Sequence, residues 1–512
     1  MSDENLTSAG SSSVNRAKTY QLVLFPLNNG ATNVYYVLIL SYIATFGNNV
    51  LALGTIFASV MVTGMRVFDA ITDPVIGALM DRTNGRFGKF RPFMIIGNVI
   101  MAASTAALYL LTPYIPENMQ WLRYAAFIAL YAAWVIGYTF QTSVTRSGQT
   151  VLTNDPNQRP LFTVFNVVGS MAGMGLMQFL APVVRSNVAD YSSADFYAFL
   201  TPVGIAISAV LTVLAIVGIW EKDKAKYFGI GDEREKTGIR EYLEILRNNK
   251  PIQRLVIAGA GCKLALSIAA NTTVLCMLYG CMMGNYDNLY LPMMVVGYIF
   301  SVPFFLLTVR TSQKKGQKAS LVRFVTLALV FYVGVLVLLL LWRKGDPLRN
   351  LIFYQEGGIM LNMYTVLFVI FFGVGYGAYY STADMPIPMV ADCSDYETYR
   401  SGKYVPGIMG TLFSLVDKLV SSLSATVVGV AVSLIGLENL PTAETPYAPG
   451  MRGVVIILFC IVPMTAWIVT LIAMKGYELT GDRMKEIQSV NARRREAVER
   501  GMSLKEAMEK YK

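Results

Sequence analysis

Twelve apolar stretches, each roughly 20 residues long and able to cross a bilayer as a helix, centre near Tyr35, Ala70, Ala103, Tyr131, Gly173, Ala209, Ala269, Tyr298, Leu327, Gly373, Val420 and Val462. Between the sixth and seventh the pattern changes, and residues 221–252 are dense in charge. Within that segment Ile239, Tyr242, Leu243 and Leu246 recur at i, i+3, i+4 and i+7, which predicts a short amphipathic helix on the membrane surface or under the bundle. After Gly476 the chain turns polar again, and Ser503 followed by Glu506 predicts a capping box for a last helix. The expected organisation is a six-helix bundle over 1–220, a central loop over 221–252, a second six-helix bundle over 253–475 and a tail over 476–512.

Composition supports a membrane assignment. Hydrophobic residues make up 54% of the 512 and charged residues 15%, against about 25% charged in soluble domains. Mean hydropathy is +0.47. The net charge of +10 reports topology rather than a nucleic-acid partner. Most of the 43 Lys and Arg fall in loops on one side when both termini are placed in the cytoplasm. Trp121 and Trp342 fall near outer span ends and Trp220 near an inner one, as interfacial anchors do. No cleavable signal is expected before the first span. Six plus six helices is the layout of the major facilitator fold, an all-α membrane architecture with a site between two bundles.

Histidine is absent, so Ser-His-Asp and Cys-His catalysis are excluded, and no enzymatic activity or cofactor is expected. Cys262, Cys276, Cys281, Cys393 and Cys460 show no C-x-x-C or zinc spacing and read as buried thiols. The tenth span contains Pro386 and Pro388, which predict a break in that helix.

The second span and its following loop read GMRVFDAITDPVIGALMDRTNGRFGKFRPF. Arg66, Asp69 and Asp73 fall at i, i+3 and i+7, on one helical face. Each charge at the bilayer centre costs roughly 2.5 to 3.5 kcal/mol if unassisted, so this face turns inward. Two carboxylates with Thr72 beside them suit a small hard cation or a shared proton, with Arg66 holding them when that cation leaves. A static interior salt-bridge cluster is the alternative. Lys263 and Lys418 are further intramembrane cations, expected to be attracted to the second-span carboxylates and so couple the halves, with snorkelling toward the cytoplasmic end as the alternative.

Three blocks, R-x-x-D-A-x-x-D-P with G-R-F-G-K-F-R-P from Arg66 to Pro92, MVADCSDYETYRSG from Met389 to Gly402, and the Lys418 segment, resemble the glycoside-pentoside-hexuronide:cation symporter family. The tail motif YELTGDRMKEI is also similar. Gly77, Asp81, Arg82, Gly85 and Arg86 resemble the superfamily motif between spans two and three, and with Asp392 and Asp395 they are expected to form a cytoplasmic gate. The resemblance implies a plasma-membrane symporter, bacterial inner membrane in that family, carrying a sugar-like solute with Na⁺, Li⁺ or H⁺ bound at Asp69 and Asp73. It also implies a monomer whose partners are the substrate and the bilayer.

Four positions depart from the family pattern. The fourth-span carboxylate falls near Thr142, the tryptophan platform near Arg146, the first-span aspartate near Asn28 and the fifth-span arginine near Asn166. Arg146 and Lys418 would give the pocket a positive potential, so a hexuronide whose carboxylate pairs with Arg146 fits. Asn28, Asn29, Asn33, Gln141, Thr142 and Asn166 offer hydrogen bonds to hydroxyls, and Tyr36, Tyr138, Tyr376 and Tyr380 offer rings for a sugar face. Helix stitching and aromatic packing are the alternatives for each. A transporter of a lipid-like or other amphipathic molecule on the same scaffold is the alternative function.

Overall fold

The computed structural model describes residues 15–83, 85–155, 158–189, 193–224, 227–228, 244, 247–355, 358–359, 361–383, 385–437, 441 and 445–511. The amphipathic helix expected at Ile239, Tyr242, Leu243 and Leu246 lies outside them. All twelve apolar stretches are helical among the described residues. Among the described residues, nine helices are long and apolar enough to span a membrane by length and composition alone. The remaining three stretches are the first, interrupted by turns at Phe25–Pro26 and Ser41–Tyr42, and the second and eleventh. The second carries Arg66, Asp69 and Asp73, and the eleventh Asp417 and Lys418.

Two small departures from an all-helical reading occur. Tyr354–Gln355 pairs antiparallel with Gly358–Ile359, and a single bridge joins Gly85 to Gly88. The tenth stretch breaks as its prolines predict: one helix ends at Tyr380 and the next begins at Pro386, where a missing N–H costs nothing. The capping box is present, with Ser503 Oγ accepting from Glu506 N. All five cysteines are buried free thiols. Trp121 and Trp220 are exposed, as anchors require, but Trp342 is only 2% exposed. Its ring lies against Tyr447 and its Nε1 donates to Asn350 Oδ1, so it closes a loop instead.

The described chain groups into two compact units. The first comprises Met1–Asn249, Val390–Leu415 and Asp482–Lys512. Its helices approach to backbone contact where glycines meet: a Cβ on either Gly97 or Gly137 would lie 2.8 Å from the other's carbonyl oxygen. Lipid gives no hydrophobic drive between helices, so such small-residue crossings supply the packing. A polar chain reinforces them. Asn98 Nδ2 donates to Ser208 Oγ and Thr212 Oγ1, Gln141 Nε2 donates to Thr212 Oγ1 and Asn28 Oδ1, and Asn28 Nδ2 donates to Thr145 Oγ1.

The second unit comprises Lys250–Met389 and Val416–Gly481. Helix Lys250–Ala269 lies along Val462–Lys475, with Thr470 Oγ1 donating to the Ala258 carbonyl. Its interior is aromatic: Tyr332 meets Trp467 edge-on at 4.8 Å, and Tyr376 stacks on Tyr380 at 5.4 Å.

Candidate functional site

The acidic face of helix Thr55–Arg82 is turned inward, with Asp73 fully buried and Asp69 4% exposed. Thr139, on helix Gln120–Ser147, donates its hydroxyl to Asp69 Oδ1 at 2.6 Å. Thr72 Oγ1 lies 3.3 Å from Thr139 Oγ1 and also donates to the Asp69 carbonyl at 3.0 Å. Pro74 follows the second aspartate inside the helix. Having no N–H, it leaves the Ala70 carbonyl, which lies between the two acids along the chain, without its usual i+4 donor. The Asp69 carboxylate and the Thr72 and Thr139 hydroxyls thus converge from two helices, with buried Asp73 one turn along the same face, oxygen donors of the kind that suit a small hard cation or a protonated carboxyl.

Arg66 behaves differently from its expected role. Its guanidinium lies over the Tyr36 ring at 5.8 Å and within electrostatic reach of Tyr131 and Tyr138. Among the described residues no ion pair joins it to Asp69 or Asp73. One helical turn of separation along the face lets the long side chain swing to the rings rather than the acids. The expected trio is thus a pair of acids plus a separate aromatic-held cation.

The residues expected to meet substrate divide into two groups. Asn28, Gln141 and Asn166 are buried. Asn28 and Gln141 hydrogen-bond to each other and so stitch helices, whereas Asn166 accepts from Asn29 Nδ2 at 3.3 Å through its backbone carbonyl. Asn29, Asn33, Tyr36, Tyr138 and Arg146 are half-buried, with Asn33 Nδ2 donating to Asn29 Oδ1 at 3.1 Å. Thr142, 8% exposed, donates to the Tyr138 carbonyl. Tyr138, Thr142 and Arg146 fall at i, i+4 and i+8, one stripe of their helix. Tyr138 feels the charges of Asp69, Arg66 and Arg146 together. The polar stripe and the acid pair therefore share a wall.

In the second unit, Tyr376 and Tyr380 sit among Phe372, Tyr379, Tyr298 and Phe305, so packing rather than an open ring face occupies them. Lys263 Nζ lies 3.3 Å from Asp417 Oδ1. That contact lies within the second unit. Lys418, beside that aspartate, is 7% exposed.

Of the expected gate residues, Gly77 and Asp81 make close contacts within the first unit, and so do Asp392 and Asp395. Gly77 and Gly407 cross closely: a Cβ on Gly407 would lie 2.7 Å from the Gly77 carbonyl oxygen. Asp81 Oδ1 accepts from Gly407 N at 2.8 Å and pairs with Lys89 Nζ at 3.3 Å, both side chains being nearly inaccessible. Lys89, absent from the expected set, is thus a cation that reaches Asp81; Arg82 and Arg86 are exposed. Lys89 also lies over the Tyr404 ring at 5.1 Å. Asp392 and Asp395 are both held by Arg159, whose NH2 lies 2.7 Å from Asp395 Oδ2. Burial pushes the Asp392 carboxyl up to about 6, against the pull of Arg159 and with the push of Asp395.

Asp223 anchors this region from beneath. Its carboxylate accepts from the backbone N–H groups of Lys89, Phe90 and Arg91 and from Arg91 Nε. The tail crosses the same ground. Gln488 Nε2 donates to the Asn154 carbonyl, Asn491 Nδ2 to the Asp395 carbonyl and Arg494 NH1 to the Tyr399 carbonyl. Sequence reasoning missed Thr139, Lys89, Arg159, Asp223 and the tail contacts. Lys89 lies inside the recognised loop motif, whereas no periodicity marks Thr139, Arg159 or Asp223, whose partners are distant along the chain.

The family described as MFS/sugar transport protein matches residues 25–481. Relatives include the inner membrane symporter YicJ of Escherichia coli, 24% identical over 90% of this chain and 92% of that protein. The glucuronide carrier protein homolog of E. coli is 22% identical, covering 91% of this chain and 94% of the other. The lactose permease of Lactobacillus delbrueckii is 24% identical over 83% of this chain and 64% of its own length. The solved E. coli fucose:proton symporter superposes with a TM-score of 0.60 at 13% identity, covering 90% of this chain and 98% of that one. The proton:xylose symporter XylE gives 0.57 at 11% identity, covering 92% and 98%. These two show the fold, the major facilitator fold anticipated from the helix count. With its helices, its loop motifs and a family match over most of its length in agreement, the chain is a multi-pass membrane transporter, not an enzyme, and belongs to the MFS/sugar transport protein family of melibiose-permease-like symporters.

Proposed function

We propose that the protein is a secondary active transporter that couples uptake of a sugar, glycoside or hexuronide to entry of Na⁺ or H⁺ by alternating access. The observation that carries this reading is the burial of Asp69 and Asp73 one helical turn apart, with Asp69 met by the Thr139 hydroxyl of a second helix and Thr72 beside it. Buried carboxylates are costly in a membrane, and the arginine nearest them in sequence is spent on tyrosines instead. A coupling cation arriving at these oxygens would neutralise them, and its departure would restore the cost; that difference biases a conformational equilibrium.

The substrate wall is the stripe of Tyr138, Thr142 and Arg146 with Asn29 and Asn33. Arg146 offers a forked donor to a carboxylate, which favours an anionic sugar, and the names of the glucuronide carrier homolog and the lactose permeases support the sugar class. The likeness to YicJ supports a bacterial inner membrane. Uptake of labelled glucoside and glucuronide into vesicles under imposed Na⁺ or proton gradients tests the reading. Gradient-driven accumulation should vanish in Asp69→Asn and Asp73→Asn while downhill exchange persists. Undiminished gradient dependence in both variants refutes it.

A further inference from the structure

The loop that carries Lys89 also presents a feature that neither gate nor transport uses. Gly88 N donates to Gly85 O at 3.0 Å, and Gly88 adopts a φ of +87°. Arg86 and Phe87 therefore occupy the two central positions of a tight turn. Both side chains are exposed, and Phe87, at 75%, is among the most exposed large hydrophobic residues described. The turn's base is fixed. Asp223 holds the next three backbone N–H groups, and Gly88 presses so closely on that carboxylate that a Cβ there would collide with it. With its base clamped, Phe87 has no route into the core.

The clamp at the turn's base carries an aromatic ring and a cation. Trp220, exposed at 55%, lies under the Arg91 guanidinium at 4.5 Å, and Arg91 in turn holds Asp223. Arg82 and Lys224 are exposed nearby in the chain. The carboxylates of this region are already engaged: Asp81 with Lys89, Asp223 with Arg91, and the exposed Glu221 with Lys18 at 2.9 Å. The rim is thus positive. Because the turn joins two membrane helices, it lies at the bilayer surface, where exposed Trp and Phe rings lodge among headgroups and each basic side chain attracts acidic lipid.

We propose that the Arg86–Phe87 turn, with Trp220, is a docking site for an anionic phospholipid, the Arg86 guanidinium holding the phosphodiester and the two rings lying against glycerol and upper acyl chain. Zwitterionic lipid offers the same chain but cancels the charge that Arg86 reads. Because the same short loop carries Lys89, a bound lipid steadies the segment that reaches Asp81. The inference does not depend on which solute is carried.

The test uses the full-length purified protein, titrated with phosphatidylglycerol or phosphatidylcholine in detergent, with retained lipid counted by native mass spectrometry and thermal stability followed in parallel. The wild type should retain phosphatidylglycerol about tenfold more strongly than phosphatidylcholine and melt higher with it. Arg86→Gln and Phe87→Ala should each lose most of that retention, and Arg86→Lys should keep part of it, whereas Arg349→Gln, elsewhere on the surface, should change nothing. Both test positions are exposed, and an unchanged circular dichroism spectrum confirms that the variants fold. Wild-type retention in both variants, or equal retention of the two lipids, overturns the proposal.

Discussion

The Thr139 hydroxyl sits 2.6 Å from Asp69 Oδ1, tying helix Gln120–Ser147 to the acidic face of helix Thr55–Arg82. A hydrogen bond to a charged group contributes about 1.5 to 3 kcal/mol. Thr139→Val should therefore raise the cation concentration for half-maximal uptake roughly 10- to 100-fold, with Thr139→Ser near wild type. Cation activation curves check this, and an unchanged midpoint in the valine variant counts against a shared cation wall.

Arg146 should discriminate by substrate charge. Removing one side of a charge-assisted hydrogen bond costs about 1.5 to 3 kcal/mol. Arg146→Ala should thus weaken a glucuronide about 10- to 100-fold relative to its effect on the matching neutral glucoside. Competition of each against labelled substrate measures the ratio. Equal losses on both would remove the carboxylate contact.

The Arg159, Asp392 and Asp395 cluster should respond to pH with a determinate sign. Asp392 titrates near 6 in the folded protein against 3.8 for an ordinary aspartate. A raised carboxyl pKa means that the folded arrangement holds the proton more tightly. Its contribution is complete below about 3.8 and is lost as pH rises through about 6. Melting temperature across that window should fall more steeply in the wild type than in Asp392→Asn. Identical slopes would show that the buried carboxyl does not govern it.

The backbone contact of Gly97 and Gly137 has a built-in control. A Cβ at Gly137 meets the Gly97 carbonyl at 2.8 Å, whereas one at Gly64 meets nothing within 4 Å. Gly137→Val should lower the yield of monodisperse protein sharply, because overpacking costs about 1 to 3 kcal/mol. Gly64→Val should be tolerated. Similar behaviour of the two would separate stability from this crossing.

Several features were legible in the chain because they are local. Hydropathy over some 20 residues fixes a span, the i, i+3, i+7 spacing of Arg66, Asp69 and Asp73 fixes a shared face, and Pro386 and Ser503 mark a helix break and a helix start. Burial of both acids follows from the same spacing. Each of these depends on residues within two or three turns, where helix geometry leaves little choice.

Partners across the fold were decided only by tertiary structure. Asn28 and Gln141 looked like hydroxyl ligands and became one another's hydrogen bond. Lys263 and Asp417 lie on different helices of the second unit and meet at 3.3 Å. Arg159 drew no notice and holds two aspartates more than 230 residues away. A side chain's type states what it can bond to, but which partner lies within 3 Å is set by helix crossings, and those are determined by glycine contacts and packing that no local pattern encodes.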